Sequence, residues 1–114
     1  MKEFTLRELC GLCGVSRRAV QGYEKLGLVC PCGKTDRGYL LYDEQACDRV
    51  RYVKSLQNYG FSVREIVRFE ALSARERTAV LREKLVGLEA RRNDIEGYIL
   101  ELREMLDTPE GSPT

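Results

Sequence analysis

The most regular feature of the sequence is a succession of short amphipathic segments, each with a capping residue before it and most with a glycine after it. Thr5 and Glu8 have the spacing of a capping box, in which each side chain hydrogen-bonds the backbone amide of the other residue. This predicts a helix that begins after Thr5 and stops at Gly14, where the missing Cβ permits a tight turn. Ser16 is predicted to cap a second helix, which Gly27 ends. The apolar positions expected to hold the two helices together are Leu6, Leu9, Cys10, Val15, Val20 and Leu26.

The pattern changes over residues 28–42, where Pro31, Gly33 and Gly38 interrupt any helix. A turn signal that ends at Gly38 is followed by Tyr-Leu-Leu-Tyr at 39–42, which favours a strand. We therefore predict a small β-hairpin, or wing, over residues 28–42.

Further helices are indicated after the wing. Asp43 is predicted to cap a helix over residues 44–58. Ser62 and Ser73 each stand three residues before a glutamate, which gives two more capping boxes. The predicted order is helix, turn, helix, wing, helix, helix and then one long helix.

The last third of the sequence carries a heptad pattern. Apolar residues recur alternately every four and three positions in a helix expected to begin near Ala74. Such a helix, about 39 Å long over the repeat, cannot bury its own apolar stripe and needs a partner. We favour a two-stranded coiled coil between chains over a helix folded back on its own front domain, and Arg92 in the seam indicates a defined register. The predicted dimerisation residues are Leu81, Leu85, Leu88, Arg92, Ile95, Ile99, Leu102 and Leu106.

These elements predict a mainly α-helical protein. A winged helix-turn-helix DNA-binding domain is expected over residues 1–72, a long C-terminal coiled-coil helix for dimerisation over 73–107, and a disordered tail over 108–114. The length of 114 residues fits one small domain with such an appendage.

The composition removes several classes of function. The chain has no histidine, which excludes histidine-based catalysis and metal sites. It shows no nucleophile–base pair and no cofactor motif, so we expect no enzyme activity. No apolar run is long enough to span a bilayer, and no secretory signal opens the chain, so we expect no membrane partner. The five cysteines then fit a reduced cytoplasmic protein better than a disulfide framework.

Basic residues are concentrated towards the front of the chain, although the net charge is only +1. Residues 1–57 contain 10 basic and 7 acidic residues, whereas residues 58–114 contain 9 and 11. Arg17 and Arg18 fall in the first turn of the second helix, which faces the major groove in a helix-turn-helix. Arginine there can bind guanine edges or phosphate, although both residues can also be read as ordinary solvated arginines.

The wing adds further candidate contacts to DNA. Lys34 and Arg37 are positioned to reach the sugar-phosphate backbone, and Tyr39 and Tyr42 flank the second strand of the wing. Because strand side chains alternate, residues three positions apart face opposite sides of the sheet. One of the two tyrosines is therefore expected in the core and the other available to DNA.

Several segments occur in a recognisable order. They are Thr5-Leu6-Arg7-Glu8-Leu9, Gly14-Val15-Ser16-Arg17, Tyr23-Glu24-Lys25-Leu26-Gly27-Leu28, Gly38-Tyr39, Tyr42, Val50 to Leu56 and Gly60-Phe61-Ser62. With these segments, over about residues 3–106, the chain resembles the MerR family of bacterial transcriptional regulators.

The resemblance implies a homodimer through an antiparallel coiled coil of the long helices, bound to double-stranded DNA at a pseudo-palindromic promoter operator. It implies that the dimer bends and untwists DNA whose promoter elements are too far apart, so that RNA polymerase can engage both. The residues that it assigns to DNA contact are Ser16, Arg17 and Arg18 on the recognition helix, Tyr23 on the DNA backbone, and Arg37, Tyr39 and Tyr42 on the wing.

The sequence departs from the family pattern at two positions that normally offer a cation, now Gln21 and Leu40. Each lost phosphate contact should flatten the slope of log affinity against log salt by about 0.9. No cysteine follows Cys47, and Ser73 stands where metal sensors of the family often carry a ligand, so the familiar metal site is not supported. The pattern is that of a short member without an effector domain.

Two alternative functions stay open at this point. One is a protein-interaction module that pairs with another regulator and binds DNA weakly or not at all. The other is a thiol- or metal-responsive switch, in which redox chemistry or zinc at Cys30 and Cys32 changes DNA affinity. Cys10 and Cys47 are expected to pack in the core as small apolar residues.

Overall fold

Side-chain caps begin the helices of the front part of the molecule. In the computed structural model, which describes residues 2–108, the Glu8 amide donates to the Thr5 hydroxyl at 3.2 Å and the Thr5 amide donates to the Glu8 carboxylate at 2.9 Å. Ser62 and Glu65 form the same reciprocal pair, with both bonds at 3.1 Å. These bonds satisfy amides that a helix leaves free at its start, and they confirm the first two capping boxes. The box at Ser73 stays a prediction.

The described helices and strands follow the predicted order, with one strand added at the start. The helices are α1 (Leu6–Cys13), α2 (Arg17–Lys25), α3 (Glu44–Asn58), α4 (Val63–Glu70) and α5 (Ala74–Asp107). The strands are β1 (Phe4–Thr5), β2 (Gly33–Lys34) and β3 (Leu40–Tyr42). Ser16 and Asp43 cap α2 and α3 as predicted, through bonds of 3.0 and 2.9 Å from the amides of the third residues beyond them.

The wing belongs to a three-stranded antiparallel sheet with the order β1-β3-β2. Tyr42 of β3 pairs with Phe4 of β1, and Leu40 of β3 pairs with Lys34 of β2. The sequence pattern did not predict β1, because two residues that lead into a capping box are too few to show alternation. Its pairing ties the start of the chain to the wing.

The core of the front part is built from one face of each of α1 to α4, together with β3 and the segment that follows α2. Its buried apolar residues are Leu9, Val20, Tyr23, Leu28, Val29, Tyr42, Ala46, Cys47, Val50, Val53, Leu56, Phe61, Ile66 and Phe69. Phe61 and Phe69 meet edge to face, with ring centroids 5.2 Å apart. This arrangement is favourable for the aromatic quadrupoles and joins α4 to the turn before it.

Leu26 was expected in the core but is exposed. It lies just beyond the last residue of α2, and Gly27 then adopts a φ of 74°. This left-handed turn is closed by a 2.9 Å bond from the Leu28 amide to the Tyr23 carbonyl. Leu28 and Val29 are buried in its place.

The chain divides at Ser73–Ala74 into two units, and the described part of the second is the helix α5. This helix has 34 residues, starts where predicted, and contains no buried residue. All eight predicted seam residues are exposed. Apart from Thr108, the predicted disordered tail lies outside the described residues. None of the described helices is long and apolar enough to cross a membrane.

Arg49 of α3 joins three parts of the front unit. Its Nε donates to the Leu28 carbonyl at 3.0 Å, and its two terminal nitrogens donate to the two carboxylate oxygens of Glu70 at 2.7 and 2.9 Å. The guanidinium also lies over the Tyr52 ring, 5.6 Å from the centroid. A planar fork that matches a carboxylate in this way fixes orientation as well as distance, so α3, α4 and the segment before the wing are held together.

Replacing Arg49 by methionine should lower the free energy of unfolding by about 1–3 kcal/mol, because charge-assisted bonds of this kind are the stronger ones. Urea denaturation followed by circular dichroism measures the change. Arg51→Met is the matched control on the same helix, since its exposed ion pair with Asp48 spans 3.8 Å and should matter by less than about 0.5 kcal/mol. Equal losses in the two variants would contradict the role assigned to Arg49.

Candidate nucleic-acid interface

The helix α2 has a buried face and an exposed cationic face. Val20 and Tyr23 are buried in the core. The exposed residues of the helix, here called the α2 face, are Arg17, Arg18, Gln21 and Lys25. At 3.6 residues per turn they share a sector of about 100°. The sector holds three cations and no carboxylate, so it presents positive potential to an approaching partner.

Ser16 determines where the α2 face begins. Its hydroxyl accepts a hydrogen bond from the Ala19 amide at 3.0 Å, and the helix starts at the next residue, Arg17. Arg17 and Arg18 therefore lie in the first turn, as predicted. Free backbone amides and the helix dipole at this end also favour an anion.

The tip of the wing is a closed turn that carries exposed polar side chains. The Thr35 amide donates to the Tyr39 carbonyl at 2.8 Å, the Gly38 amide to the Thr35 carbonyl at 2.9 Å, and the Tyr39 amide to the Thr35 hydroxyl at 3.1 Å. Gly38 has a φ of 86°, which side chains of L-residues disfavour. Lys34, Arg37 and Tyr39 are all exposed around this turn.

Lys34 stands directly opposite Leu40 in the pairing of β2 with β3. Directly opposed residues of antiparallel strands lie on the same face of the sheet. The ammonium of Lys34 is therefore on the face where Leu40 replaces the cation expected from the sequence resemblance.

Tyr42 is not available for DNA contact, which corrects its predicted place in the interface. Its ring is completely buried, and its hydroxyl donates to the carboxylate of Glu24 in α2. Burial, followed by the hydrogen bond and the charge of Glu24, holds the Tyr42 pKa well above its ordinary value. Tyr39 is the exposed member of the pair at 66%. The expected alternation is thus confirmed, and the structure shows that Tyr42 is the core residue and Tyr39 the exposed one.

Tyr23 also differs from its predicted role as a contact to the DNA backbone. Its ring is buried, and its hydroxyl donates to the side-chain oxygen of Gln57 in α3. Burial raises the Tyr23 pKa as well. Because the single hydroxyl proton is used within the protein, none is left to donate to a phosphate. Tyr23 instead positions α2 on α3.

Lys25 is a candidate contact that the sequence pattern did not single out. It lies in the last turn of α2 and is exposed. The spacing of four residues that links Arg17, Gln21 and Lys25 was the signal available in the sequence, since residues four apart lie on one helix face.

The cysteines divide between core and surface. Cys47 is buried as expected, Cys10 is half-buried, and Cys30 and Cys32 are exposed. Desolvation and the Glu3 carboxylate, 3.5 Å from the Cys32 sulfur, hold the Cys32 pKa above its ordinary value, which lowers its thiolate fraction. Within residues 2–108 no group of three potential ligands is placed to hold a metal ion. The thiol-switch hypothesis stays a prediction.

The family model for the MerR HTH family regulatory protein matches residues 4–72, which is more than half of the chain. The chain therefore belongs to the MerR family of helix-turn-helix regulatory proteins. The match covers the caps, the α2 face and the wing described above.

Individual relatives extend this picture. The mercuric resistance operon regulatory protein of Bacillus cereus is 38% identical over 64 residues, 56% of this chain and 48% of that protein. The nodulation protein NolA of a Bradyrhizobium strain is 35% identical over 89 residues, 77% of this chain and 37% of that protein. The chain thus spans about half the length, or less, of these two relatives. A probable heavy metal-dependent transcriptional regulator of Haemophilus influenzae is 26% identical over 113 residues, 94% of this chain and 88% of that protein.

Solved structures share the fold. A MerR family transcriptional regulator from Bacillus cereus gives a TM-score of 0.77 at 20% identity, covering 99% of this chain and 88% of that chain. HiNmlR, a MerR family regulator lacking the sensor domain and bound to promoter DNA, gives 0.73 at 19% identity, covering 92% and 88%. The predicted fold class, a winged helix-turn-helix with a long C-terminal helix, is confirmed.

Removing the Tyr42 hydroxyl should destabilise the fold without changing the exposed surface. In Tyr42→Phe the half-buried Glu24 carboxylate loses its hydroxyl donor, so the free energy of unfolding should fall by about 1–2 kcal/mol in urea. Tyr39→Phe removes an exposed hydroxyl and should change stability by less than about 0.5 kcal/mol. A Tyr42→Phe variant as stable as Tyr39→Phe would show that the bond to Glu24 contributes nothing.

Proposed function

We propose that the chain is a DNA-binding transcriptional regulator that acts as a homodimer on a pseudo-palindromic promoter operator in the cytoplasm. The observation that carries the proposal is the α2 face, a carboxylate-free sector with three cations in a fold of the MerR family. In a helix-turn-helix the second helix enters the major groove, where arginine binds guanine or phosphate. A protein of the same fold, HiNmlR, has been seen bound to promoter DNA, which supports this assignment.

The wing contributes contacts to the sugar-phosphate backbone beside the recognition helix. Lys34 and Arg37 supply cations, and the exposed Tyr39 hydroxyl is free to donate to phosphate oxygen. Lys34 takes over, on the same face of the wing, a contact that Leu40 cannot make. Ser16 contributes to the interface by capping α2 and so placing Arg17 and Arg18 in its first turn, because its hydroxyl accepts a hydrogen bond from the Ala19 amide.

The exposed seam of α5 supports a coiled coil with a second copy of the chain. Seven of its eight residues are apolar, and none of them is buried in the described part of the molecule. An antiparallel alignment that keeps every seam position in contact has four kinds of layer. They are Leu81 with Leu106, Leu85 with Leu102, Leu88 with Ile99, and Arg92 with Ile95. The two copies of Arg92 then fall in different layers, whereas a parallel coil would place them in the same layer.

A two-fold dimer determines the form of the DNA site. Two recognition helices related by the axis read two half-sites one helical turn, about 34 Å, or a multiple of it apart. A rigid dimer whose helices do not match relaxed DNA favours DNA that is bent or untwisted, at an energy that depends on sequence. Distortion of an overlong promoter spacer, which lets RNA polymerase engage both promoter elements, is the mode of regulation we propose.

Arg17→Ala and Arg18→Ala test the DNA interface. Sheared genomic DNA captured by the purified, reduced protein supplies the operator, and fluorescence anisotropy then gives the affinity of each variant. Whichever arginine reads a base should lose about 1–3 kcal/mol of binding free energy on substitution. Arg64→Ala, which removes an exposed arginine of α4, is the control and should bind as the unmodified protein does.

Two results would count against this interface. If both arginine variants bind the operator with unchanged affinity, the α2 face does not lie on DNA. If folded, dimeric protein captures no specific DNA even at low salt, the function is that of a protein-interaction module.

Ile99→Asp tests the dimer, because it places a carboxylate within the apolar seam, in the layer with Leu88. It should convert the protein to a monomer in sedimentation equilibrium at micromolar concentration. Leu100→Asp is the matched control, since Leu100 is an exposed apolar residue next to Ile99 that lies outside the seam. Loss of the dimer in both variants, or in neither, would contradict the seam assignment.

The same dimer can be tested for orientation by cross-linking in a background without native cysteines. A chain with Leu81→Cys mixed with a chain with Leu106→Cys should form a disulfide-linked pair on oxidation. In a parallel coil, where Lys84 and Arg91 would face Glu89 and Glu96 of the second copy, each chain would instead cross-link to its own kind.

A further inference from the structure

One uncharged polar side chain lies within the cationic α2 face. Gln21 is exposed, and at about 100° per residue it lies about 40° from both Arg17 and Lys25 and about 60° from Arg18. Its neighbours on the helix surface are the three cations that the proposed function places against DNA and, about 60° away on the other side, Glu24, whose carboxylate accepts from Tyr42. A side chain in this position has to face the partner that the cations attract.

The amide of Gln21 is available for that partner. Within residues 2–108 its side chain makes no hydrogen bond or ion pair, whereas the side-chain oxygen of Gln57 accepts a hydrogen bond from Tyr23. The next residue, Gly22, carries no side chain, and a Cβ added there would meet no atom within 4 Å beyond its chain neighbours and the nearby backbone of its own helix. The surface beside Gln21 is thus clear for the close approach of a base pair.

We infer that Gln21 is a specificity-determining residue that reads an adenine in the major groove of each half-site. The inference rests on the proposed function. A glutamine amide places a donor next to an acceptor, which matches the N7 acceptor and N6 donor of adenine. Guanine offers two acceptors to the groove, which suit the all-donor fork of arginine instead. Gln21 carries no charge, so it adds sequence preference without adding to counterion release.

The helix also indicates where the adenine lies. Gln21 is three residues from Arg18, about 4.5 Å along the helix axis, and four residues from Arg17, about 6 Å. Base pairs are spaced about 3.4 Å apart along the duplex. The adenine should therefore lie one or two base pairs from any base pair that either arginine reads.

Selection of DNA from a randomised library, followed by sequencing, tests the inference with Gln21→Ala and Gln21→Glu. The unmodified protein should select an A·T pair in each half-site, and Gln21→Ala should reduce discrimination at that pair by about tenfold or more. Gln21→Glu should shift the preference at the same position to C·G, because a carboxylate accepts from cytosine N4. Preferences at the other positions should stay as they were.

Gln45→Ala and Gln45→Glu are the matched controls, since Gln45 is an exposed glutamine of α3 outside the α2 face. They make the same chemical changes and should leave every position of the selected site unaltered. Circular dichroism and sedimentation confirm that all four variants are folded dimers.

The outcomes separate the inference from the proposed function. If the unmodified protein selects a palindrome and Gln21→Ala selects it with the same preference at each position, Gln21 does not read a base and the proposed function stands. The same conclusion holds if the position that changes is a G·C pair. If the unmodified protein selects no sequence, both the proposed function and the inference are overturned.

Discussion

The hydrogen bond from Tyr42 to Glu24 is the contact on which the proposed interface depends. Tyr42 is the completely buried end of β3, and Glu24 lies on α2, so the bond joins the wing to α2. It also engages the only carboxylate of α2, which lies at the edge of the α2 face, about 20° from Arg17 around the helix axis. The bond draws this carboxylate towards Tyr42, the sector itself holds no carboxylate, and the wing is held beside it.

Arg49 and Tyr23 extend this constraint through the rest of the front unit. Arg49 binds the segment before the wing and Glu70 of α4, while Tyr23 anchors α2 to α3 through Gln57. Each of these contacts uses a long polar side chain whose ring or stem is packed and whose polar end is paired. Hydrogen bonds in such half-buried positions are directional, so they set the angles between elements that apolar packing alone leaves adjustable.

The helix α5 differs from the four helices of the front unit, each of which buries one face. It has no buried residue and carries an apolar seam that only another surface can cover. In the proposed dimer, a second copy of the chain covers the seam and sets the distance between the two proposed recognition helices. Dimerisation and operator spacing are then two consequences of one apolar stripe, while Arg92 within it limits the orientations that the two helices can adopt.

Local sequence determined most of the elements. The starts of four helices were predicted from their capping residues, and the structure confirms them at Thr5, Ser16, Asp43 and Ser62. They could be predicted because a cap acts over three residues and needs no tertiary partner. Two glycines with positive φ, Gly14 and Gly38, likewise confirmed the C-terminal end of α1 and the turn of the wing. The position of α5 followed from a long periodic pattern, which is the most reliable sequence signal.

Tertiary structure decided the rest. β1 forms because β3 offers a free edge to two residues, and Leu28 replaces Leu26 in the core because Gly27 turns the chain. Tyr39 and Tyr42 look equivalent in sequence, yet burial beside Glu24 removes one from the interface and leaves the other exposed. The hydrogen bond from the Tyr23 hydroxyl to Gln57 engages that hydroxyl within the protein in the same way. Alternation and helical spacing tell which residues share a face, but only the packing of several elements tells which face meets the core and which hydroxyls are already in use.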